Sequence, residues 1–293
     1  MGMRIRTNVP SLTAQRFMSE NNTNMQSSME RLSSGYRINK SADDAAGLAI
    51  SESLRGKVRG LGVAQRNAND AVSLVQIAEG SMNEMTNIMI RLRELAVQAS
   101  TDTIGDRERG YLNREYTQLV DELDRIAKTT EFNGTKIFDP SNPKSEFIIQ
   151  VGTNGSAPDA NTDTIRIKLD GLKFNSADLG LGKGAEIGPG AGETSGPTRE
   201  TISSRLNVID SALDRFASER ATLGSVQSRL GSAISALGSQ VENLETAKSR
   251  IKDVDFASET ATLTQNKILT QSNLSVLAQA NAAPEQALAL LRN

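Results

Sequence analysis

The sequence predicts a mainly α protein: an elongated, rod-like bundle of long helices with one small β-hairpin region. Three observations predict it. Five of the seven prolines fall between Pro140 and Pro197, leaving residues 11–139 and 198–283 without one. Proline breaks helix interiors, so both tracts can hold very long helices. Within them apolar residues recur at heptad spacing, the signature of helices packed along a seam. Only 3% of the 293 residues are aromatic and none is Trp, which suits helices side by side better than the core of a globular enzyme.

The N-terminal region, residues 1–40, reads as one amphipathic helix. Met18, Met25 and Leu32 recur by sevens, and Ile5, Leu12 and Met29 add to the same apolar character. The stretch RLSSGYRINKSADDAAGLAISESLR, residues 31–55, interrupts this pattern. Gly35 can end the first helix. Ser41-Ala42-Asp43-Asp44 then offers a start resembling a capping box, with two carboxylates at the positive dipole end of the next helix. Ala45-Ala46-Gly47 keeps that start slim. The local chemistry is that of a hinge.

Residues 41–255 are expected to form the rod. Its first helix, about 44–100, carries Leu54, Leu61, Ala68, Val75, Met82, Met89 and Ala96 at sevenfold spacing. Ala64, Ala71, Ala78, Met85, Leu92 and Ala99 follow three residues behind, completing an a/d stripe. After a break at Thr101–Gly105, a second helix, about 106–129, shows Leu112, Tyr116, Leu119, Leu123 and Ile126. The β-hairpin region, about 132–170, has strands at 147–151 and 164–169 with Asn154-Gly155 among the turn signals between them. Residues 171–197, rich in Gly and Pro, read as an exposed loop. A third helix, about 200–250, steps by four and three from Ile202 through Ile209, Phe216, Leu223, Leu230 and Leu237 to Ile251. At about 1.5 Å per residue it would be roughly 75 Å long.

Residues 256–293 form the last helical region. Phe256, Leu263, Leu277 and Leu291 share one heptad frame, and Leu274 and Leu288 a second. Only Glu259, Lys267, Glu285 and Arg292 are charged there, while 15 of the 38 residues are Ser, Thr, Asn or Gln. Such an uncharged polar face can pack against copies of itself without stranding buried charges. Two readings fit: weakly stable tails in an isolated chain, or helices that order on assembly and couple folding to association, and both can hold in different states of the protein.

The composition excludes most catalytic chemistry. Without Cys there are no disulfides or thiol nucleophiles, and without His the usual neutral-pH base and commonest metal ligand are missing. Asp43-Asp44 is the one tempting carboxylate pair, but adjacent residues on a helix diverge, so no catalytic, cofactor or metal site is expected. A net charge of −2 with no basic block argues against nucleic acid. Met1-Gly2-Met3 leads into no apolar stretch, so no cleaved signal and no membrane-inserted segment are expected.

RLSSGYRINKSADDAAGLAIS closely resembles the N-terminal signature of bacterial flagellins. RLRELAVQAS (91–100), LVDELDRIAKTTEFNGTKIF (119–138), SRIKDVDFASETATLTQNKILTQSNLSVLAQAN (249–281) and the terminal ALALLRN are similar to flagellin in the same order. The resemblance covers roughly 1–140 and 200–293, with a middle too short for large outer domains. It implies a structural subunit of the swimming filament. The N- and C-terminal helices would pair as a coiled coil in an inner filament-core domain, and the rod would form the surrounding wall. Ile5, Leu12, Met18, Met25, Leu32, Phe256, Leu263, Leu274, Leu277, Leu288 and Leu291 would carry self-assembly.

Further partners follow from the same resemblance. They are an export chaperone, a filament cap, hook-junction proteins and an extracellular destination through the type III apparatus. Flagellins recognised by Toll-like receptor 5 present an arginine, a leucine and a glutamate, which carry over onto Arg91, Leu95 and Glu115. Leu95 is equally compatible with a place inside the bundle, and Leu119 stands where such flagellins often have a basic residue. The nearest alternative is a hook–filament junction protein. A membrane-active amphipathic protein is disfavoured by the sparse Lys and Arg of the terminal helices.

Overall fold

The computed structural model describes residues 7–139, 144–153, 163–182, 184–189 and 196–291, with Asp170 and residues 283–291 as backbone alone. In chain order the elements are α1 (Val9–Ser34), α2 (Ala45–Ala99), α3 (Asp106–Thr129), β1 (Glu131–Phe132) and β2 (Thr135–Lys136). After them come β3 (Glu146–Gln150), β4 (Thr164–Lys168), a 3-10 turn at Asp170–Leu172, α4 (Arg199–Lys252) and α5 (Phe256–Leu291). The long helices expected at 44–100, 106–129 and 200–250 are therefore present, with boundaries within two residues.

The chain divides into two compact units: residues 59–241, and residues 1–58 together with 242–293. Both divisions fall inside unbroken helices, α2 and α4. Residues 41–58 and 242–255, expected to belong with the rod, lie instead in the unit of the two terminal helices.

The unit of residues 59–241 holds the main hydrophobic core. The α2 stripe Ala68, Val75, Met82, Met89 and Ala96 is buried, as are Ala71, Ala78, Met85, Leu92 and Ala99. Half of these ten are alanines. Tyr116, Leu123 and Ala127 of α3 and Ile202, Ile209, Phe216, Leu223 and Leu230 of α4 fill the facing positions. Asp106 and Glu108 in the first turn of α3 and Lys128 in its last match the helix dipole.

The strands sit on this core. β3 and β4 pair antiparallel with Phe147 opposite Ile167 and Ile149 opposite Ile165. Alternation buries Ile165 and Ile167 and turns Arg166 and Lys168 outward. A second hairpin was not anticipated: β1 and β2 pair through the two-residue turn Asn133-Gly134, both at positive φ (49° and 73°). Asn-Gly is favoured there because a type I′ turn needs two left-handed residues. The Asn154-Gly155 turn signal lies outside the described residues.

The expectation of an exposed loop at 171–197 is corrected. Leu172, Phe174, Leu179, Leu181, Ala185 and Ile187 are all buried. Phe174 stacks on Phe216 with ring centroids 4.1 Å apart and lies 6.0 Å from Phe138. Irregular backbone here is tied down by side chains: Asp124 accepts from Ser176 N and Oγ, and the buried Asn113 accepts from Ile187 N. Residues 183 and 190–195 of that segment lie outside the described residues.

Candidate functional site

Among the described residues no group of His, Cys, Asp or Glu is arranged to hold a metal ion. No described helix is long and apolar enough to cross a membrane. Most of the residues expected to carry assembly lie in the unit that contains α1 and α5.

α1 is capped by Asn8, whose side-chain oxygen accepts from Ser11 N (3.2 Å), with Pro10 in the first turn. Both are favourable helix-start choices. It ends at Gly35, which adopts φ 75° and returns its N–H to Arg31 O. This is the left-handed C-cap that glycine accepts without strain. The hinge residue expected from sequence is thus the observed stop.

The next start differs from expectation. Asp44, rather than Ser41, is the cap: its Oδ1 accepts from Gly47 N (2.8 Å), and α2 follows at Ala45. Asp43 serves the turn before it, Oδ2 accepting from Asn39 N and Lys40 N at 3.0 Å each. Those bonds, Lys40 first and Asn39 second, hold the Asp43 carboxyl below the usual range. A side chain at Gly47 would strike the Asp44 carboxylate and come within 2.8 Å of Ile38 Cδ1. The glycine is thus the condition for the cap.

The break between α4 and α5 meets this hinge. Tyr36 bridges Asp253 in an antiparallel pair, Arg37 N donates to Lys252 O (2.7 Å), and Val254 N donates to Gly35 O (3.0 Å). Lys252 Nζ lies 4.9 Å from the Tyr36 ring centroid and 3.4 Å from Glu52. The two interruptions thus satisfy each other's backbone groups. Asp255 then caps α5, accepting from Ala257 N (2.9 Å).

α1 and α5 pair antiparallel. Asn8 Nδ2 donates to Ala280 O (2.7 Å) and Ser11 Oγ to Asn281 Oδ1 (2.8 Å) at one end, and Arg31 faces Glu259 (3.9 Å) at the other. The seam uses two heptad frames on each helix. On α1 these are Ser11, Met18, Met25, Leu32 and Ala14, Asn21, Ser28; on α5 they are Leu263, Thr270, Leu277 and Glu259, Asn266, Asn273, Ala280. All are buried or half-buried. The seam therefore mixes five Met and Leu side chains with small and polar ones, and leaves other large apolar groups outside it.

Among the residues expected to carry assembly, Met18, Met25, Leu32, Leu263 and Leu277 lie in this seam. Leu12 (58% exposed), Phe256 (56%) and Leu274 (51%) point away from it, joined by Phe17, Met29, Ile268 and Val276. Ile5 and the side chains of Leu288 and Leu291 lie outside the described residues. The seam's polar members, Asn8, Ser11, Asn266 and the Arg31–Glu259 pair, were missed from sequence. The sevenfold recurrence of Glu259, Asn266 and Asn273 was an available signal on α5, but a search for apolar residues passes over it, and Asn8 and Arg31 carry no such period.

In the other unit, Arg91 and Glu115 are brought together on the surface (2.7 Å), and Arg91 also reaches Glu94 (2.9 Å). Leu95, the third residue of that expected recognition set, is 1% exposed and belongs to the core.

Comparison with known proteins gives a consistent result. Residues 5–143 match the bacterial flagellin N-terminal helical region, and residues 206–291 the bacterial flagellin C-terminal helical region. The flagellin of Bacillus subtilis (strain 168) is 40% identical across 99% of this chain and all of its own length. The flagellin of Halalkalibacterium halodurans is also 40% identical, with the same coverage. A Vibrio parahaemolyticus structure provisionally described as a flagellar hook-associated protein superposes with a TM-score of 0.56. It covers 72% of this chain and all of its own at 11% identity, a likeness of fold alone.

Proposed function

The chain belongs to the bacterial flagellins, and from that premise we propose that it is the structural subunit of a flagellar filament. Copies polymerise into the extracellular helical propeller of a swimming cell. The observation that carries the reading is the match of both terminal regions, 5–143 and 206–291, to the family. The α1–α5 unit supports it physically. Its internal seam consumes Met18, Met25, Leu32, Leu263 and Leu277 together with small and polar residues, while Leu12, Phe17, Phe256, Ile268 and Leu274 remain exposed. Apolar groups left outside the seam are what a second copy can bury, at about 25 cal/mol per Å² of apolar surface.

The partners follow as part of this proposal. An export chaperone covers the exposed face of α5 before secretion, a cap directs folding at the growing tip, and hook-junction proteins seat the first subunits. The chain leaves the cell by the type III route. Recognition of the monomer by Toll-like receptor 5 rests on the surface pair Arg91 and Glu115, with Leu95 holding the helix beneath them rather than touching the receptor.

The test is seeded polymerisation followed by negative-stain electron microscopy, with a truncation lacking residues 1–40 and 256–293 beside the intact chain. Long tubular filaments from the intact chain alone are expected. An intact chain that stops at short rings in the presence of seeds would transfer the assignment to a junction protein.

A further inference from the structure

The α1–α5 seam repeats every seven residues, and repetition leaves its register open. Sliding α5 by one heptad, about 10.5 Å at 1.5 Å per residue, returns the same two frames to the seam, largely small against small and apolar against apolar, with Thr270 the polar member between Leu263 and Leu277. Met25 is followed by Met18, Ser28 by Asn21 and Ala14, and Leu263 by Thr270 and Leu277. A seam with so little preference needs contacts that do not repeat. In coiled coils single polar positions do this work, at some cost in stability.

Among the described residues such contacts lie at each end, the Arg31–Glu259 pair at one and Asn8, beside the Ser11–Asn281 bond, at the other. Arg31 and Glu259 are the only charged residues of α1 and α5, among those with described side chains, that are not exposed. They face each other at 3.9 Å, with Arg31 Nε and Glu259 Oε1 buried and without a hydrogen-bond partner. Slipping by a heptad in either direction would take each charge away from its partner and leave it in an uncharged, half-buried seam, which is costly.

The other end is fixed by a missing donor. Pro284 lies within α5, and having no N–H it cannot donate to the carbonyl four residues back, that of Ala280. Asn8 Nδ2 donates to that carbonyl oxygen at 2.7 Å while its Oδ1 caps α1. Pro284 is the one proline in α5, so Ala280 offers the one helix-interior carbonyl freed in this way. Asn8 thus reads a landmark that no heptad slip can duplicate.

We propose that Asn8 and the Arg31–Glu259 pair are positioning residues that set the α1–α5 register, so that every subunit presents the same surface to the next copy. The proposal rests on the filament reading above. Its tests use nearly isosteric changes that spare the fold. Asn8→Asp keeps the helix cap but loses the amide donor, Glu259→Gln removes the charge, and Pro284→Ala returns the N–H that competes for Ala280 O.

The chain has no Cys, so engineered cysteine pairs report register without background. Ser11→Cys with Asn281→Cys reads the observed register, and Ser11→Cys with Leu274→Cys reads a one-heptad slip. Cross-link yields are compared in the free chain and after elongation from seeds, with helicity followed by far-UV circular dichroism. The otherwise unaltered chain should favour the first pair by tenfold or more. Adding Asn8→Asp and Glu259→Gln together should bring the ratio to within about threefold of unity, the loss of roughly one hydrogen bond and one ion pair. Helicity should stay unchanged while elongation slows.

Pro284→Ala separates positioning from stability: it should raise helicity and still erode the preference for the observed register. A double variant that keeps the tenfold preference would overturn the proposal, as would a Pro284→Ala chain that elongates faster with its register intact. The cross-link ratio in the free chain decides the register whether or not filaments grow. Failure of the unaltered chain to elongate would therefore overturn the filament reading alone.

Discussion

Replacing Phe174 by Ala tests whether the segment after β4 is a working part of the core. The side chain is fully buried, its ring stacks on Phe216 at 4.1 Å and 14°, and the Arg215 guanidinium lies 5.2 Å from its centroid. Truncating a buried Phe costs about 3–5 kcal/mol, of which the stacked pair supplies about 0.5–1.5 kcal/mol. With a urea slope of about 3 kcal/mol per M, the midpoint should fall by about 1 M or more. Ile148→Ala, at a position 55% exposed, serves as the control and should stay within about 0.5 kcal/mol. Urea unfolding is followed by far-UV circular dichroism and by tyrosine emission, which no Trp obscures. A loss below about 1 kcal/mol for Phe174→Ala would refute the reasoning, because a segment so loosely held would be a surface loop after all.

Three further outcomes follow from the geometry. Gly47→Ala gains about 1 kcal/mol of helix propensity but drives a methyl into the Asp44 cap and to 2.8 Å from Ile38 Cδ1. The net result should be a lower melting temperature, corresponding to a loss of about 1–3 kcal/mol. Leu95→Ala should cost about 2–5 kcal/mol in urea unfolding, whereas Arg91→Ala should leave the midpoint unchanged and reduce signalling only in a Toll-like receptor 5 reporter assay. Burial pushes the Tyr116 hydroxyl from 10.0 up to about 12. Its proton is held more tightly folded than unfolded, so stability is unaffected below about pH 10 and falls as pH rises towards 12. Tyr116→Phe should remove that part of the alkaline loss in melts taken across this range.

Most of the helical architecture was legible because burial in a bundle leaves a period. The a/d stripe from Leu61 to Ala99 and the series from Ile202 to Leu237 could be read directly from spacing. What escaped has no period. Leu172, Phe174, Leu179, Leu181 and Ile187 fill the core from irregular backbone, spaced by the shape of the gap they enter rather than by a repeat. The β1–β2 hairpin is two residues a side, too short for alternation to show. The boundaries near 58 and 241 lie within continuous helices, which run unbroken through Gly56, Gly60 and Gly238, so those glycines do not act as breaks.

The terminal site was half legible for a different reason. Met18, Met25, Leu32, Leu263 and Leu277 declare a seam, but Ser11, Asn266 and Glu259 look like solvated positions until the partner helix is in place. Leu12, Phe256 and Leu274 follow the hydrophobic pattern and yet point outward, because sequence records that a residue is apolar and not which molecule covers it. The cap falls at Asp44, three residues after Ser41, where its Oδ1 meets Gly47 N.

The pairing of Asn8 with Ala280, 272 residues apart, also orders events in time. Closing so long a span costs little more at equilibrium than closing a short one, since each doubling of loop length adds only about 0.6 kcal/mol. The delay is another matter. A chain that emerges N-terminus first displays α1 almost at once, and the residues that can cover it come last. Until they arrive its Met and Leu side chains have no native partner, and local contacts alone cannot finish the unit. The first helix of this protein is therefore among its last to fold, and through nearly the whole of emergence the chain stays threadable at its leading end.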